Sequence, residues 1–196
     1  MHRLGAALAA TAAALVATPS AVDAHVSGSN GLAVKKARAE TLEPPPLLAT
    51  LVQTHTDERV PLDDESPSAA RFAELLADRV TGERHAFDPR LLELLRSLAK
   101  RHPGARIELV SGYRSAKLNE MMRKKGHHVA SHSQHSLGHA VDFRIVPPDA
   151  ELGLEPLLLE QEIRALGWEG GVGTYSMKYD WFVHADVGPR RRWSGT

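Results

Sequence analysis

Hydrophobic positions along the chain follow two periods, one typical of α-helices and one typical of β-strands. Helical spacing marks residues 66–80, 89–102, 115–125 and 154–166. Alternation or short apolar runs predict strands in residues 107–110, 140–146, 170–175 and 181–187, and a hairpin over 51–60. Because helices precede most strands and few strand–helix–strand units occur, the order predicts an α+β fold with a mostly antiparallel central sheet flanked by helices.

Two predicted strands carry polar side chains on the face opposite their apolar residues. In residues 140–146, Asp142 points away from the face that carries the large apolar side chains. In residues 181–187, His184 and Asp186 share one face. An aspartate inside a strand is locally unfavourable, and such exceptions often mark functional positions. A solvated edge strand is the alternative.

Histidines are concentrated just before the first of these strands, at positions 127, 128, 132, 135 and 139. Spacing alone selects none of them, and a nonspecific metal-binding loop is one interpretation. Gly138 allows a tight turn that would bring an imidazole towards Asp142. His135, Asp142 and His184 would form the kind of donor set used by catalytic zinc, which takes three protein ligands and leaves one position for water.

The N-terminal segment has the pattern of a secretory signal. A basic start, an apolar run shorter than a membrane span and a small-residue cleavage site predict a signal peptide over residues 1–24, with an uncleaved anchor as the alternative. Residues 25–48 predict a flexible linker that ends in a polyproline stretch. The folded domain is expected over residues 49–196.

Composition narrows the possible functions. The 196 residues include no cysteine, which excludes disulfides and thiolate metal sites. A formal net charge of zero gives no reason to expect nucleic acid as a partner. The arginines of residues 190–192 are interpreted as a solvated tail or a contact with the edge of a substrate.

An ordered set of motifs resembles the zinc D,D-carboxypeptidase superfamily and, within it, murein endopeptidase K and its relatives. The resemblance extends over about residues 50–193, and its main motifs are Ser111-Gly112-Tyr113-Arg114-Ser115, His135-x-x-Gly138-x-Ala140-x-Asp142 and Phe182-Val183-His184-x-Asp186. It implies a hedgehog/D,D-peptidase-like fold and a zinc ion bound by His135, Asp142 and His184. It also implies that Arg114 holds a substrate carboxylate or the developing oxyanion.

One position departs from the superfamily pattern. Classical members of the superfamily place a glutamate, the general base, three residues before the last histidine, and this chain has Trp181 there. The base is therefore expected to come from elsewhere, with Asp186 as the first candidate and Asp180 as the second. Asp186 could instead orient His184. His139 is expected to line the cleft or face water.

These features together predict an exported zinc metallopeptidase, periplasmic or secreted, that hydrolyses amide bonds in peptidoglycan peptides. Cleavage within a cross-link is favoured over removal of a terminal D-amino acid. We expect a monomer without an integral membrane segment after signal cleavage. The alternatives are a noncatalytic, zinc-containing module that binds cell-wall peptides and a histidine-rich metal-storage or delivery protein.

Overall fold

A computed structural model describes residues 47–126, 133–178 and 180–195. The predicted signal peptide and nearly all of the predicted linker lie outside these residues. The described strands are β1 (Ala49–Gln53), β2 (Arg59–Leu62), β3 (Arg106–Ser111), β4 (Ala140–Val146), β5 (Gly171–Ser176), β6 (Trp181–Asp186) and β7 (Arg191–Gly195). The described helices are α1 (Ala69–Leu75), α2 (Pro89–Arg101), α3 (Ala116–Lys124) and α4 (Pro156–Ala165), with a 3-10 turn at Gln134–Leu137.

All seven strands form one mixed sheet in the order β2-β1-β3-β4-β6-β5-β7. The α+β class is confirmed, but the sheet is less uniformly antiparallel than expected. Strand β1 pairs with β3 in parallel because α1 and α2 cross over between them. Strand β7, which pairs in parallel with β5, was not predicted because Arg-Arg-Trp-Ser-Gly lacks an apolar alternation.

Helices α1, α2 and α4 cover one face of this sheet. The core joins their apolar residues to the inward side chains of β3, β4, β5 and β6. In β4 the inward residues are Val141, Phe143 and Ile145, and in β6 they are Val183 and Ala185, all with no exposed surface. The predicted alternation in both strands is therefore confirmed, and the opposite face of the sheet carries Asp142 and His184.

Helix α1 is shorter than the hydrophobic spacing predicted. Ser68 caps it by accepting a hydrogen bond from the Arg71 N–H, and it ends at Leu75 rather than near residue 80. The buried carboxylate of Asp78 explains the early end, because it accepts hydrogen bonds from the N–H groups of Val80 and Thr81 at 2.7 and 2.8 Å. Such local bonds stabilise a turn in competition with the helix.

Asp78 also ties this turn to the segment before α3, and this gives a prediction about acid stability. Burial opposes the charge of Asp78, but hydrogen bonds from the N–H groups of Thr81, Ser115 and Val80 outweigh it and lower its pKa. A lowered native pKa stabilises the fold above the unfolded value of about 3.9, and this stabilisation is lost as the pH falls towards the native value.

We therefore expect the wild type to be more stable than Asp78→Asn by a constant margin above about pH 5, with the margin shrinking below about pH 4. Urea unfolding of both proteins between pH 3 and 7 measures this difference in the free energy of unfolding. Asp64→Asn, which removes an exposed carboxylate paired with Lys100, is the charge-matched control. The same pH profile in both variants would contradict the assignment.

No helix among the described residues has the length and apolar character needed to cross a membrane.

Candidate metal centre

One row of paired residues crosses the face of the sheet opposite α1, α2 and α4. Asp142 on β4 lies opposite His184 on β6, and Ser111 on β3 lies opposite Asp142. On the other side, Gly173 on β5 pairs with His184, and Trp193 on β7 pairs with Gly173. Because directly paired residues point to the same face, the sheet register itself places the carboxylate of Asp142 against the imidazole of His184.

His135 reaches this row from the 3-10 turn that precedes β4. Ser133 caps the turn by accepting a hydrogen bond from the His135 N–H, and Gly138 ends it in a left-handed conformation with φ of 67°. A Cβ atom at Gly138 would lie 2.1 Å from the Ala86 carbonyl oxygen, so the turn requires glycine for space as well as for conformation. The predicted role of Gly138 in bringing His135 towards Asp142 is confirmed.

Three potential ligand atoms converge at the centre of the site. His135 Nε2 lies 3.1 Å from Asp142 Oδ1 and 3.1 Å from His184 Nδ1, and the last two atoms are 2.8 Å apart. All three residues are buried, and they form a group able to hold a metal ion. Zinc–nitrogen bonds of about 2.0–2.1 Å place tetrahedral ligand atoms about 3.3 Å apart, so the geometry and the donor chemistry fit zinc.

The far side of each imidazole is held by a hydrogen-bond acceptor. His135 Nδ1 donates to the Gly112 carbonyl oxygen at 2.7 Å, which leaves the lone pair on Nε2. His184 Nε2 donates to Asp186 Oδ2 at 3.0 Å, which leaves the lone pair on Nδ1. In their neutral forms both rings therefore point a lone pair at the same place, as histidine ligands of metals usually do.

Arg114 holds the other side of Asp142. Its Nη2 donates to Asp142 Oδ2 at 2.8 Å, while its Nε donates to Ser111 Oγ at 3.1 Å. Asp142 Oδ1 remains directed at the two imidazoles. Among the described residues, no protein group accepts a hydrogen bond from Arg114 Nη1.

The charges of the site follow from burial and from these contacts. Burial lowers the pKa of His135 to about 4, which keeps it neutral. Burial opposes the charge of Asp142, but His135, His184 and Arg114 hold the pKa of this carboxyl well below its usual range. Burial also opposes a charge on His184, but its hydrogen bonds to Asp142 and Asp186 raise its pKa. The group therefore presents a carboxylate and a neutral His135.

Asp186 lies behind His184 rather than among the converging ligand atoms. It has no exposed surface, and its Oδ2 accepts hydrogen bonds from His184 and from Arg191 Nη2, the latter at 2.8 Å. Its Oδ1 accepts one from the Gly188 N–H at 2.8 Å. These contacts favour the orienting role over that of proton acceptor, and the assignment of Asp186 as general base stays a prediction.

The other positions considered for proton transfer lie farther away. Asp180 is exposed and precedes β6, four residues or roughly 13 Å along the strand from His184. Trp181 points away from the site, because its Nε1 donates to the carbonyl oxygens of Gly153 and Leu154. His139 is half-buried. Three further histidines of the cluster, at positions 127, 128 and 132, lie outside the described residues.

Strand β7 adds two side chains that the sequence analysis did not assign to the site. The Trp193 ring lies 5.1 Å from the His184 ring, and Arg191 bonds Asp186. Gly173 makes room for this tryptophan, because a Cβ atom there would lie 2.4 Å from the indole. The Gly-x-Gly spacing of residues 171–173 was the available signal, since two small residues on one face of a strand indicate close approach by a neighbour.

Comparison with known proteins places the chain in a family. Residues 51–193 match the family model described as "Peptidoglycan L,D-endopeptidase MepK". A Haemophilus influenzae protein named "Probable peptidoglycan L,D-endopeptidase MepK" is 34% identical over 164 residues, which are 78% of this chain and 81% of that protein. The Escherichia coli K12 "Peptidoglycan L,D-endopeptidase MepK" is 31% identical over 162 residues, 76% and 81% of the two chains.

No solved structure matches the chain. The family match alone covers well over half of it and includes every residue of the metal centre. The chain therefore belongs to the peptidoglycan L,D-endopeptidase MepK family.

Proposed function

We propose that this chain is an exported zinc peptidase that hydrolyses amide bonds in peptidoglycan peptides, acting within cross-links. The observation that carries the proposal is the convergence of His135 Nε2, Asp142 Oδ1 and His184 Nδ1 within 3.1 Å of one another in a buried group. The names of the relatives support the substrate, since both name peptidoglycan and an L,D-endopeptidase. The substrate's position outside the cytoplasm and the signal-like residues 1–24 support a periplasmic or secreted location.

These three atoms would hold the zinc ion, which when bound supplies the Lewis acidity that activates water and polarises a carbonyl. The surrounding residues keep the ligands in one orientation. The Gly112 carbonyl and Asp186 fix the two imidazoles, and Arg114 fixes Asp142. Arg114 Nη1 is left to donate to the substrate carbonyl oxygen, where negative charge develops during hydrolysis.

The acceptor of the proton from the attacking water is proposed to be a carboxylate near β6. Asp186 and Asp180 are the candidates from sequence, and the contacts of Asp186 support its role in orienting His184 instead. The two roles predict different effects of substitution. Replacing a residue that orients a ligand lowers metal affinity, whereas replacing the proton acceptor lowers the rate of the zinc-loaded enzyme.

Asp186→Asn is expected to weaken zinc binding by about 10- to 100-fold, because the partner that orients His184 is altered. Competition with a chromophoric chelator at fixed pH measures the affinity. Asp180→Asn, at an exposed position, is the matched control and should leave zinc affinity unchanged. If Asp186→Asn binds zinc normally and only its rate at saturating zinc falls, the orienting role is wrong and the role of base is supported.

The proposed function is tested by mass analysis of muropeptides after incubation of sacculi with the purified, zinc-loaded protein. We expect cross-linked muropeptides to be converted to un-cross-linked products, and the masses identify the amide that is cut. Binding to sacculi without released products would instead favour the noncatalytic module. Several metal ions per chain would favour metal storage or delivery.

A further inference from the structure

Two arginines share one glutamate on the face of the sheet that carries Asp142. Glu108 on β3 pairs across the ladder with Arg144 on β4, and Arg106 precedes Glu108 by two residues on the same face. Glu108 Oε1 accepts a hydrogen bond from Arg106 Nε at 2.7 Å, and its Oε2 accepts one from Arg144 Nε. One carboxylate therefore faces two guanidinium groups, and the cluster keeps a net positive charge.

Both arginines keep donors free for another partner. Each bonds Glu108 through Nε, and no protein group among the described residues accepts from their terminal Nη atoms. Their side chains are each 36% exposed, whereas that of Glu108 is 13% exposed. Two terminal N–H groups on a planar guanidinium match the geometry of a carboxylate. Glu108 thus fixes the arginine stems while their ends face solvent.

The cluster adjoins the metal centre. Arg144 follows Asp142 by two residues on β4, so both side chains point to the same face about 7 Å apart along the strand. Arg114, the arginine within the centre, already bonds Asp142 and Ser111. Arg144 is therefore the next cation along β4 that has free donors for an anionic group of a peptide lying across the site.

We propose that Arg144, positioned by Glu108 and supported by Arg106, binds a free carboxylate of the substrate peptide two residues from the amide that is cut. This inference rests on the proposed function and adds a determinant of specificity to it. The separation of about 7 Å between Asp142 and Arg144 along β4 agrees with this position. An extended peptide advances about 3.3–3.6 Å per residue, so 7 Å corresponds to two residues.

The test uses two synthetic peptides, each containing an L,D amide, that differ only in carrying a carboxylate or a carboxamide on the residue two positions from that amide. Wild-type kcat/KM should favour the carboxylate by about 10- to 100-fold, the usual effect of a hydrogen bond to a charged group. Arg144→Gln should bring this ratio close to one, mainly through KM for the carboxylate peptide, and Arg144→Lys should restore part of it. Arg90→Gln, which removes an exposed arginine on α2 that bonds Asp88, should keep the wild-type ratio.

Calorimetric binding of the same two peptides separates failure of this inference from failure of the proposed function. A preference in binding that disappears in Arg144→Gln supports the carboxylate site even if neither peptide is cut, and absence of cutting then counts against the proposed function alone. Equal wild-type values for the two peptides would overturn the inference. A preference that survives unchanged in Arg144→Gln would overturn the assignment to Arg144.

Discussion

His184→Ala is expected to abolish hydrolysis of isolated sacculi while leaving the fold largely intact. The change removes one of three ligand atoms and the partner of Asp186. Metal catalysis contributes several kcal/mol to the transition state, and each 1.4 kcal/mol is a factor of ten in rate, so a loss of about three orders of magnitude or more is expected. Muropeptide release and zinc content per chain are the two measurements.

His102→Ala is the matched control for this variant. His102 follows α2 and bonds Glu162 of α4 at 2.7 Å, away from the row that carries Asp142 and His184. We expect this control to retain one zinc ion per chain and wild-type release of products. Circular dichroism of the metal-free proteins checks that both variants fold. Unchanged activity in His184→Ala, with zinc still bound, would contradict the ligand assignment.

Phe143→Ala is expected to lower the free energy of unfolding by about 3–5 kcal/mol, the usual cost of truncating a buried phenylalanine. Phe143 has no exposed surface and lies at the centre of β4, between Asp142 and Arg144. Whole domains are stable by only about 5–15 kcal/mol, so the loss would be a large part of the total. Urea denaturation of the zinc-free protein measures it without a contribution from metal binding.

Leu158→Ala is the control, because it truncates a large apolar side chain that is exposed rather than buried. Leu158 lies on α4 with 55% of its surface exposed, and surface substitutions of this kind usually change stability by less than about 0.5 kcal/mol. Similar losses in both variants would mean that the face of the sheet carrying Phe143 is not the core.

The three proposed metal ligands could be predicted from the sequence with unequal success. Alternation in β4 and β6 correctly placed Asp142 and His184 opposite the core, because a strand with one buried face has a strict period of two. It did not select His135 among five clustered histidines, since a short polar turn has no periodicity. Only the resemblance distinguished that residue, and the cap at Ser133 and the turn at Gly138 show how its position is reached.

The elements that sequence reasoning missed depend on contacts distant along the chain. Strand β7 forms because a neighbouring strand, β5, offers an edge and Gly173 leaves space for Trp193. Helix α1 stops early because Asp78 bonds Ser115, 37 residues away, as well as its own turn. Neither effect is visible in a local hydrophobic pattern, which reports only which face of an element is buried.

The pairing of Asp142 with His184 also connects metal binding to the assembly of the sheet. A slip of one residue between β4 and β6 would turn the side chains of one strand to the opposite face and separate the ligand atoms. A zinc ion at the site would favour the native pairing over every slipped one. At a free concentration 1,000 times its dissociation constant, such an ion would add about 4 kcal/mol to the stability of the correctly paired chain. In a chain without disulfides, the metal would then serve as the cross-link between its two central strands.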